Sequence, residues 1–470
     1  MGRRPGDRGA LRGHGPHGRG RDPGRHGARE VHGRCRSLRG ARGAAVIDTL
    51  TDVLIVGAGI GGLATALSLH QAGIRCALVD RANQLAPLGV GINLQPHAVR
   101  ELTELGLGDE LATIGVATAE LIHYDRHGNR IWGEPRGLAA GYRWPQYSVH
   151  RGELQMLLLR AVRERLGPHA VTTSTSLESL QEDEAADAVV ATLRDRVTGE
   201  VRREPANVVI GADGLYSAVR AHLHPDEGPP VRSGIRMWRG TARRAPFLTG
   251  RSMIMAGCNS VAKFVAYPIS PTVDGSVTIN WVAEVASPED ARPADWTAAG
   301  RLDEVLPHYA DWNLRWLNVR ELIRASERIL EYPMVDRDPL DRWGTSRTTL
   351  LGDAAHPMYP IGSNGGSQAI VDARVLAHHL ASAPDASTAL ARYEADRREP
   401  TAAIVLANRA LGPERILRTV AERAPDGFAR VEDVLSALEL EEIGAAYKRT
   451  TSSDVAALNS RPSWTPVLSH

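Results

Sequence analysis

Three glycines, at positions 57, 59 and 62, stand in the G-x-G-x-x-G spacing directly after the apolar run Asp52-Val53-Leu54-Ile55-Val56. That spacing serves the capture of a pyrophosphate. Gly57 permits a tight turn, Gly59 lets the main chain approach the phosphates, and Gly62 lets a helix pack closely on the strand. The phosphates then sit on the positive end of that helix, and Ile60 and Gly61 in its first turn join the same site. A second strand, Arg75 to Val79, ends in Asp80, eighteen positions after Gly62 and followed by Arg81. An acid there is placed to hold a ribose hydroxyl. A glycine spacing alone is weak evidence. Strand, turn, helix, strand and acid in that order make a dinucleotide site the expectation, ahead of a glycine-rich turn without a ligand.

Two further glycine–acid motifs follow short buried-strand patterns. Val208-Val209-Ile210 leads into Gly211-Ala212-Asp213-Gly214, and Thr348 to Leu351 leads into Gly352-Asp353-Ala354-Ala355-His356-Pro357. Beyond them, Ile361-Gly362-Ser363-Asn364-Gly365-Gly366 precedes a helix read over Gln368 to Leu380, whose N-terminus offers partial positive charge. His356 is a candidate proton relay, although a structural histidine is the simpler reading. Met358 and Tyr359 beside it, and Tyr267 and Trp238 further upstream, are candidates to line a pocket for an aromatic ring. Arg239 has the two-pronged donor set for a carboxylate, with a surface ion pair as the plain alternative. His123, His150, His378 and His379 have no partners at metal-ligand spacing, so no metal site is expected. Arg397-Arg398 reads as an exposed helix face.

These motifs need elements to hold them. At 470 residues the chain is long enough for two domains and a large core. Residues 49–230 read as the first part of an α/β dinucleotide-binding domain, Rossmann-like, with a small β insertion at the hairpin Glu120 to Trp132 around His127-Gly128-Asn129. Residues 231–335 read as an inserted antiparallel sheet, with strands at Gly234–Gly240, Arg251–Met255, Val261–Tyr267 and Ser276–Val282, then helices at Arg301–Tyr309 and Trp312–Ala325. Five of the nine tryptophans fall there, at 238, 281, 296, 312 and 316, which suits a lid over an aromatic ligand, with core packing the simpler account of most of them. Residues 336–412 return to the first domain, and 413–470 read as C-terminal helices and a tail.

Residues 1–45 carry twelve arginines and three acids, a charge of +9 that leaves −8 for the other 425 residues. Rich in Gly, Pro and His, residues 1–48 are expected to be a disordered tail. The whole chain has two lysines, Lys263 and Lys448, among 56 basic residues. That bias suits a GC-rich genome, and a translation start at Val46 is preferred over a nucleic-acid-binding arm. The tail lacks a secretory signal pattern. No run reaches the length of a membrane-spanning helix. Cys35, Cys76 and Cys258 are few and unpaired by spacing, which fits a reduced cytoplasm.

Taken jointly, the fingerprint at 57–62, Gly211-Ala212-Asp213-Gly214 and Gly352-Asp353-Ala354-Ala355-His356 resemble the single-component (group A) flavoprotein aromatic monooxygenases, the superfamily of p-hydroxybenzoate and salicylate hydroxylases, over roughly residues 52–410. Pro87-Leu88-Gly89-Val90-Gly91-Ile92-Asn93, Gln146 to Gln155, Met237-Trp238-Arg239-Gly240 and Tyr332 to Leu340 resemble its phenazine-tailoring, phenazine-carboxylate branch. The resemblance implies a p-hydroxybenzoate hydroxylase-like fold with FAD as cofactor. It implies FAD contacts at Gly57, Gly59, Gly62 and Asp80, at Gly91, at Arg151, at Asp213 and Gly214, at Asp353, and at Pro360, Gly362, Asn364, Gly365 and Gly366. With one full fingerprint in the chain, NADH or NADPH is expected as a visiting co-substrate. The implied reaction is hydroxylation of a phenazine-like or other fused aromatic carboxylic acid with O2, through a flavin hydroperoxide, with or without loss of carbon dioxide, in secondary metabolism. Plain hydroxylation of another aromatic, an oxidase or dehydrogenase, and a non-enzymatic flavin-binding protein stay open at this point. Partners are then a small aromatic, O2 and NAD(P)H, without nucleic acid, and a homodimer stays open.

Overall fold

The computed structural model describes residues 51–183, 185–288, 298–451 and 454–466. The arginine-rich tail, Val46, Cys35 and Trp296 lie outside the described residues.

The strand Thr51–Val56 sits inside a seven-stranded sheet, parallel to Cys76–Val79 on one side and to Val201–Gly211 on the other. Val53, Leu54 and Ile55 are fully buried because helices cover the sheet. Helix Ile60–Gln71 packs on Gly365–Ser382 and on Arg151–Leu166. The strand Val201–Gly211 serves two further partners. Its first half pairs antiparallel with Ala188–Asp195, and its second half pairs parallel with Thr348–Leu350. Val56 lies opposite Gly211, and Gly211 opposite Leu350. All three glycine motifs therefore leave the carboxyl ends of adjacent parallel strands, where open α/β sheets bind their ligands.

A second seven-stranded sheet runs in the order Ile329–Asp336, Val231–Arg244, Val277–Ala286, Ala262–Pro268, Ser252–Cys258, Glu120–Tyr124, Arg130–Pro135. The hairpin expected within the first domain thus belongs to this sheet. It joins through parallel pairing of Glu120–Tyr124 with Ser252–Cys258, a long-range contact that local periodicity does not announce. Helix Trp312–Ala325 shortens to Val319–Arg324, with Asn318 Oδ1 accepting from the Glu321 N–H at 3.1 Å. Trp312 and Trp316 are instead drawn into an aromatic cluster, at 4.9 Å from the Tyr309 ring and 5.0 Å from the Tyr124 ring. Ring packing there outweighs helical propensity. A small sheet of Gly91–Leu94, Gln146–His150 and Gly115–Thr118 lies beside Pro96–Glu104. The C-terminal region folds as the helices Arg415–Arg423, Ala437–Thr450 and Val455–Ser460.

Gly57 adopts φ +107°, and a Cβ on it would lie 2.4 Å from the Ala212 carbonyl oxygen. A Cβ on Gly62 would lie 1.9 Å from the Gly57 carbonyl oxygen, a backbone atom that cannot turn aside. Gly62→Ala is expected to destabilise the fold by about 1–3 kcal/mol, as overpacking does. Chemical denaturation of the purified variant, with an unchanged denaturant slope, is the check.

Candidate active site

The carboxyl ends of the parallel strands and one face of the second sheet enclose a cavity of about 310 Å³. Its first-domain side is formed by Gly59, Ile60, Gly61, Arg151, Gly214, Asp353, Met358, Pro360, Asn364, Gly365 and Gly366. Eleven sequence-nominated residues thus converge on one space. Two helices open on it, Ile60–Gln71 and Gly365–Ser382, and neither has a side-chain cap or an acid in its first turn. Several helices elsewhere are capped, by Ser217, Asp385 and Ser436 for example. Uncapped N–H groups facing a cavity suit an anionic or electron-rich ligand. A Cβ on Gly59 would meet nothing within 4 Å, so this glycine is kept open toward the cavity and not toward protein. Asp353 is open to the cavity but ringed by protein. Burial raises its pKa, against the pull of His356 and Arg151.

The other residues nominated for the cofactor do not line this cavity. The Asp80 carboxylate sits at the strand end and accepts the Ala58 N–H at 2.7 Å and the Ala82 N–H at 2.8 Å, so in this structure it braces the glycine turn. Arg81 is exposed, its carbonyl held by Arg196. The Asp213 Oδ2 turns to accept the Ala218 N–H at 2.7 Å and closes the start of helix Ala218–Leu223. Gly362, at φ +69°, packs against Tyr447, whose Oη would lie 1.9 Å from a Cβ there. Tyr447 braces the loop from the C-terminal helix, accepting from Asn364 Nδ2 at 2.9 Å.

Gly91 is gripped rather than exposed. Its N–H donates to Asn280 Oδ1 at 2.7 Å, and its carbonyl accepts from Tyr267 Oη at 2.9 Å and from Arg239 Nη2. The second sheet thereby holds the loop before Ile92 and Asn93, which also line the cavity. Arg239 is no surface ion pair, since it lies on the cavity wall with its guanidinium 5.6 Å from the Tyr332 ring.

Three candidates are corrected by the side-chain positions. His356 is buried away from the cavity lining, its Nε2 2.6 Å from Asp372 Oδ2, so it has no relay position. Tyr359 packs in the core beneath the second sheet and does not line the cavity, whereas Met358 does. Trp238 is fully buried on the opposite sheet face, because strand period two separates it from Met237 and Arg239. Arg397 is also buried, not exposed. It donates to Asp372 Oδ1 at 2.7 Å and to Gln368 Oε1 at 2.6 Å.

Sequence reasoning missed most of the opposite wall. Met237, Met253, Met255, Val265 and Val282 alternate with core residues along their strands and present an apolar surface to the cavity. At its edge lies a buried ion cluster, with Lys263 Nζ 2.7 Å from Glu284 Oε2 and 2.7 Å from Glu414 Oε2. The signal for Lys263 was its rarity and its alternation with Val265 and Tyr267. Glu414 had none. Gln155, whose Nε2 donates to the Ala58 carbonyl at 2.9 Å, was also missed.

A family profile described as "FAD binding domain" matches residues 50–408. The chain belongs to this family of FAD-dependent aromatic-ring monooxygenases. It is 52% identical over 366 residues to the phenazine 1,6-dicarboxylic acid hydroxylase of Lysobacter antibioticus, covering 77% of this chain and 90% of that protein. It is 32% identical over 362 residues to 3-hydroxybenzoate 6-hydroxylase 1 of Aquipseudomonas alcaligenes, covering 75% and 86%. Among solved structures, Pseudomonas aeruginosa PqsL in complex with 2-aminobenzoylacetate superposes with a TM-score of 0.65 at 25% identity, over 80% of this chain and all of that one. Klebsiella pneumoniae HpxO complexed with FAD and uric acid shares the fold, with a TM-score of 0.64 at 24% identity over 85% and 93%. The open Gly59 turn and the two uncapped helix ends fit the flavin dinucleotide that this family carries. Among the described residues no helix is long and apolar enough to cross a membrane.

Two outcomes follow from these positions. Gly59→Val should fold with near-normal stability, since its side chain enters open space, and yet purify without the yellow flavin band; a yellow, FAD-saturated variant refutes the cradle. Asp372 bears on acid stability. Burial alone would raise its carboxyl, but the His356 and Arg397 charges outweigh this and hold it down at about 2. A depressed carboxylate stabilises the fold above its unfolded value of about 4, and that contribution is lost as pH falls toward 2. Asp372→Asn should therefore lower stability near neutrality and flatten the acid limb of the pH–stability curve, as followed by thermal melts across that range.

Proposed function

We propose that this enzyme uses NAD(P)H and O2 to hydroxylate a flat, fused aromatic carboxylic acid of the phenazine type. The observation that carries the reading is a single cavity with two unlike halves. One half offers open glycines and helix N-termini, and the other offers an apolar methionine-rich sheet face edged by Arg239 and Lys263. The 52% identity to a phenazine dicarboxylic acid hydroxylase supports this substrate class.

Bound FAD supplies the two-electron chemistry that lets O2 react with an aromatic carbon. In the proposed assignment, Gly57, Gly59, Ile60, Gly61 and Gly62 hold its pyrophosphate, with Asp80 and Arg81 at the adenosine end. Arg151, Gly214 and Asp353 face its middle, with Asp213 shaping the turn beside Gly214, and Pro360, Asn364, Gly365 and Gly366 face its ring, with Gly362 shaping their loop. Met237, Met253, Met255, Val265 and Val282 exclude water and press the substrate ring flat. Gly91, fixed by Asn280 and Tyr267, sets the gap between cofactor and sheet. The chain's catalytic contribution is then orientation in a dry pocket more than acid–base chemistry.

For a carboxylate-bearing ring carbon, the balanced reaction breaks the bond to the carboxyl group and forms a carbon–oxygen bond. One oxygen atom goes to the ring and the other to water. Two electrons come as hydride from the nicotinamide, two protons are taken from solvent, and carbon dioxide leaves. Hydroxylation at an unsubstituted carbon keeps the carboxylate and is the second arm of the test. We assign the enzyme to secondary metabolism in the cytoplasm.

Aerobic NADH and NADPH oxidation with phenazine-1-carboxylate, salicylate and their decarboxylated analogues, followed by product mass, tests the reading. A phenazine product that gains one oxygen and loses carbon dioxide is the expected result. Gain of oxygen alone moves the point of attack. Hydrogen peroxide as the sole product with every compound contradicts the substrate class.

A further inference from the structure

The cavity wall contains an ion cluster whose charges need an explanation. The side chains of Lys263, Glu284 and Glu414 are 1%, 4% and 4% exposed, and all three line the cavity. Burying ions is unfavourable unless each is paired and hydrogen-bonded. Here the pairing is uneven. Lys263 donates a well-aligned hydrogen bond to Glu414 Oε2, which also accepts from Asn259 Nδ2 at 3.3 Å. Glu284 Oε2 lies equally near Lys263 but out of hydrogen-bond alignment, and among the described residues it has no other partner. A chain that uses arginine for 54 of its 56 basic residues places one of its two lysines here. An ammonium carries three donors on a compact head, so two carboxylates leave one donor for a ligand.

Strand register places this cluster within the site. Lys263 lies opposite Glu284, and Glu284 opposite Met237, at one end of the cavity face. Tyr267, which holds Gly91, is four residues along the same strand, about 13 Å away at about 3.3 Å per residue. Arg239 lies between these two rows, with one guanidinium nitrogen committed to Gly91. Lys263 and Arg239 together balance Glu284 and Glu414, so the wall is neutral before a substrate enters. An anion added to it leaves one uncompensated negative charge in a low-dielectric space.

Building on the proposed substrate class, we propose that Lys263 anchors the carboxylate of the aromatic substrate, and that Glu284 takes up one proton from solvent as the anion binds. Glu284 then becomes a neutral hydrogen-bond donor beside the anion. Burial already raises the Glu284 pKa, with Lys263 opposing and Glu414 reinforcing the shift. The other titratable groups around it are less suited. Tyr309, bonded to the Lys263 and Glu284 carbonyls, is pushed far up by burial. Tyr267 is raised by burial. His123, which feels the Lys263 charge, is held down to about 4 mainly by burial.

The test is calorimetric titration of the FAD-bound enzyme near neutral pH, in two buffers of different ionisation enthalpy, with phenazine-1-carboxylate and with phenazine. The carboxylate should bind with uptake of about one proton, and its affinity should weaken by up to about tenfold per pH unit as pH rises. Phenazine should bind without buffer dependence. In Glu284→Gln, a near-isosteric change, the carboxylate should still bind but without proton uptake. Failure of both aromatics to bind overturns the substrate class and this inference with it. Binding of the carboxylate without proton uptake by the unaltered enzyme overturns the inference alone. Uptake that persists in Glu284→Gln overturns the assignment to Glu284.

Discussion

The close approach of three chain segments at the carboxyl ends of neighbouring parallel strands is the constraint on which the rest of this structure depends. Val56, Gly211 and Leu350 stand in register, and each strand ends in a turn that allows no side chain at its tightest point. The Gly57 turn presses on Ala212, and helix Ile60–Gln71 presses back on Gly57 through Gly62. These contacts are backbone on backbone, so they cannot be relaxed by rotamers. They place two uncapped helix ends and the Asp353 carboxylate around one space, and a dinucleotide becomes the ligand that the space can satisfy.

The second sheet completes the site by alternation. Each strand sends one set of side chains to an aromatic core that holds Trp238, Trp281 and Phe264, and the other set to the cavity. A one-residue slip would exchange the two sets and fill the cavity with tryptophan. Asn280, Tyr267 and Arg239 fix the register relative to the first domain by gripping a single residue, Gly91. The width of the cavity beside Gly91 is therefore set by hydrogen bonds to main chain, which tolerate change in neighbouring side chains.

Much of this was legible in the sequence, and the parts that were not share a cause. The glycine turn, the strands at Asp52–Val56 and Arg75–Val79 and the helix read over Gln368–Leu380 follow from local period and turn chemistry, and they appear within a few residues of their expected bounds. The fate of Glu120–Tyr124 depends on a strand more than a hundred residues away. Arg397 reads as solvent-exposed until Asp372 and Gln368 are brought beneath it. His356 carries a residue type that suggests catalysis, yet its partner Asp372 turns it into a buried strut. Glu414 had no local signal at all, because its role comes from Lys263 on a distant strand. Motif spacing therefore brought out the glycine-motif side of the cavity, whose surface is made by backbone. It missed most of the opposite wall, whose side chains are assembled from four strands.

The most direct measurement of the central claim is a visible-absorbance titration of the purified, FAD-bound enzyme with an aromatic carboxylate, alongside an aliphatic carboxylate of similar size. If the flavin ring and the methionine-lined sheet face share one cavity, the aromatic should perturb the flavin bands saturably and the aliphatic acid should not. A flavin spectrum indifferent to both, or equally perturbed by both, would contradict the account.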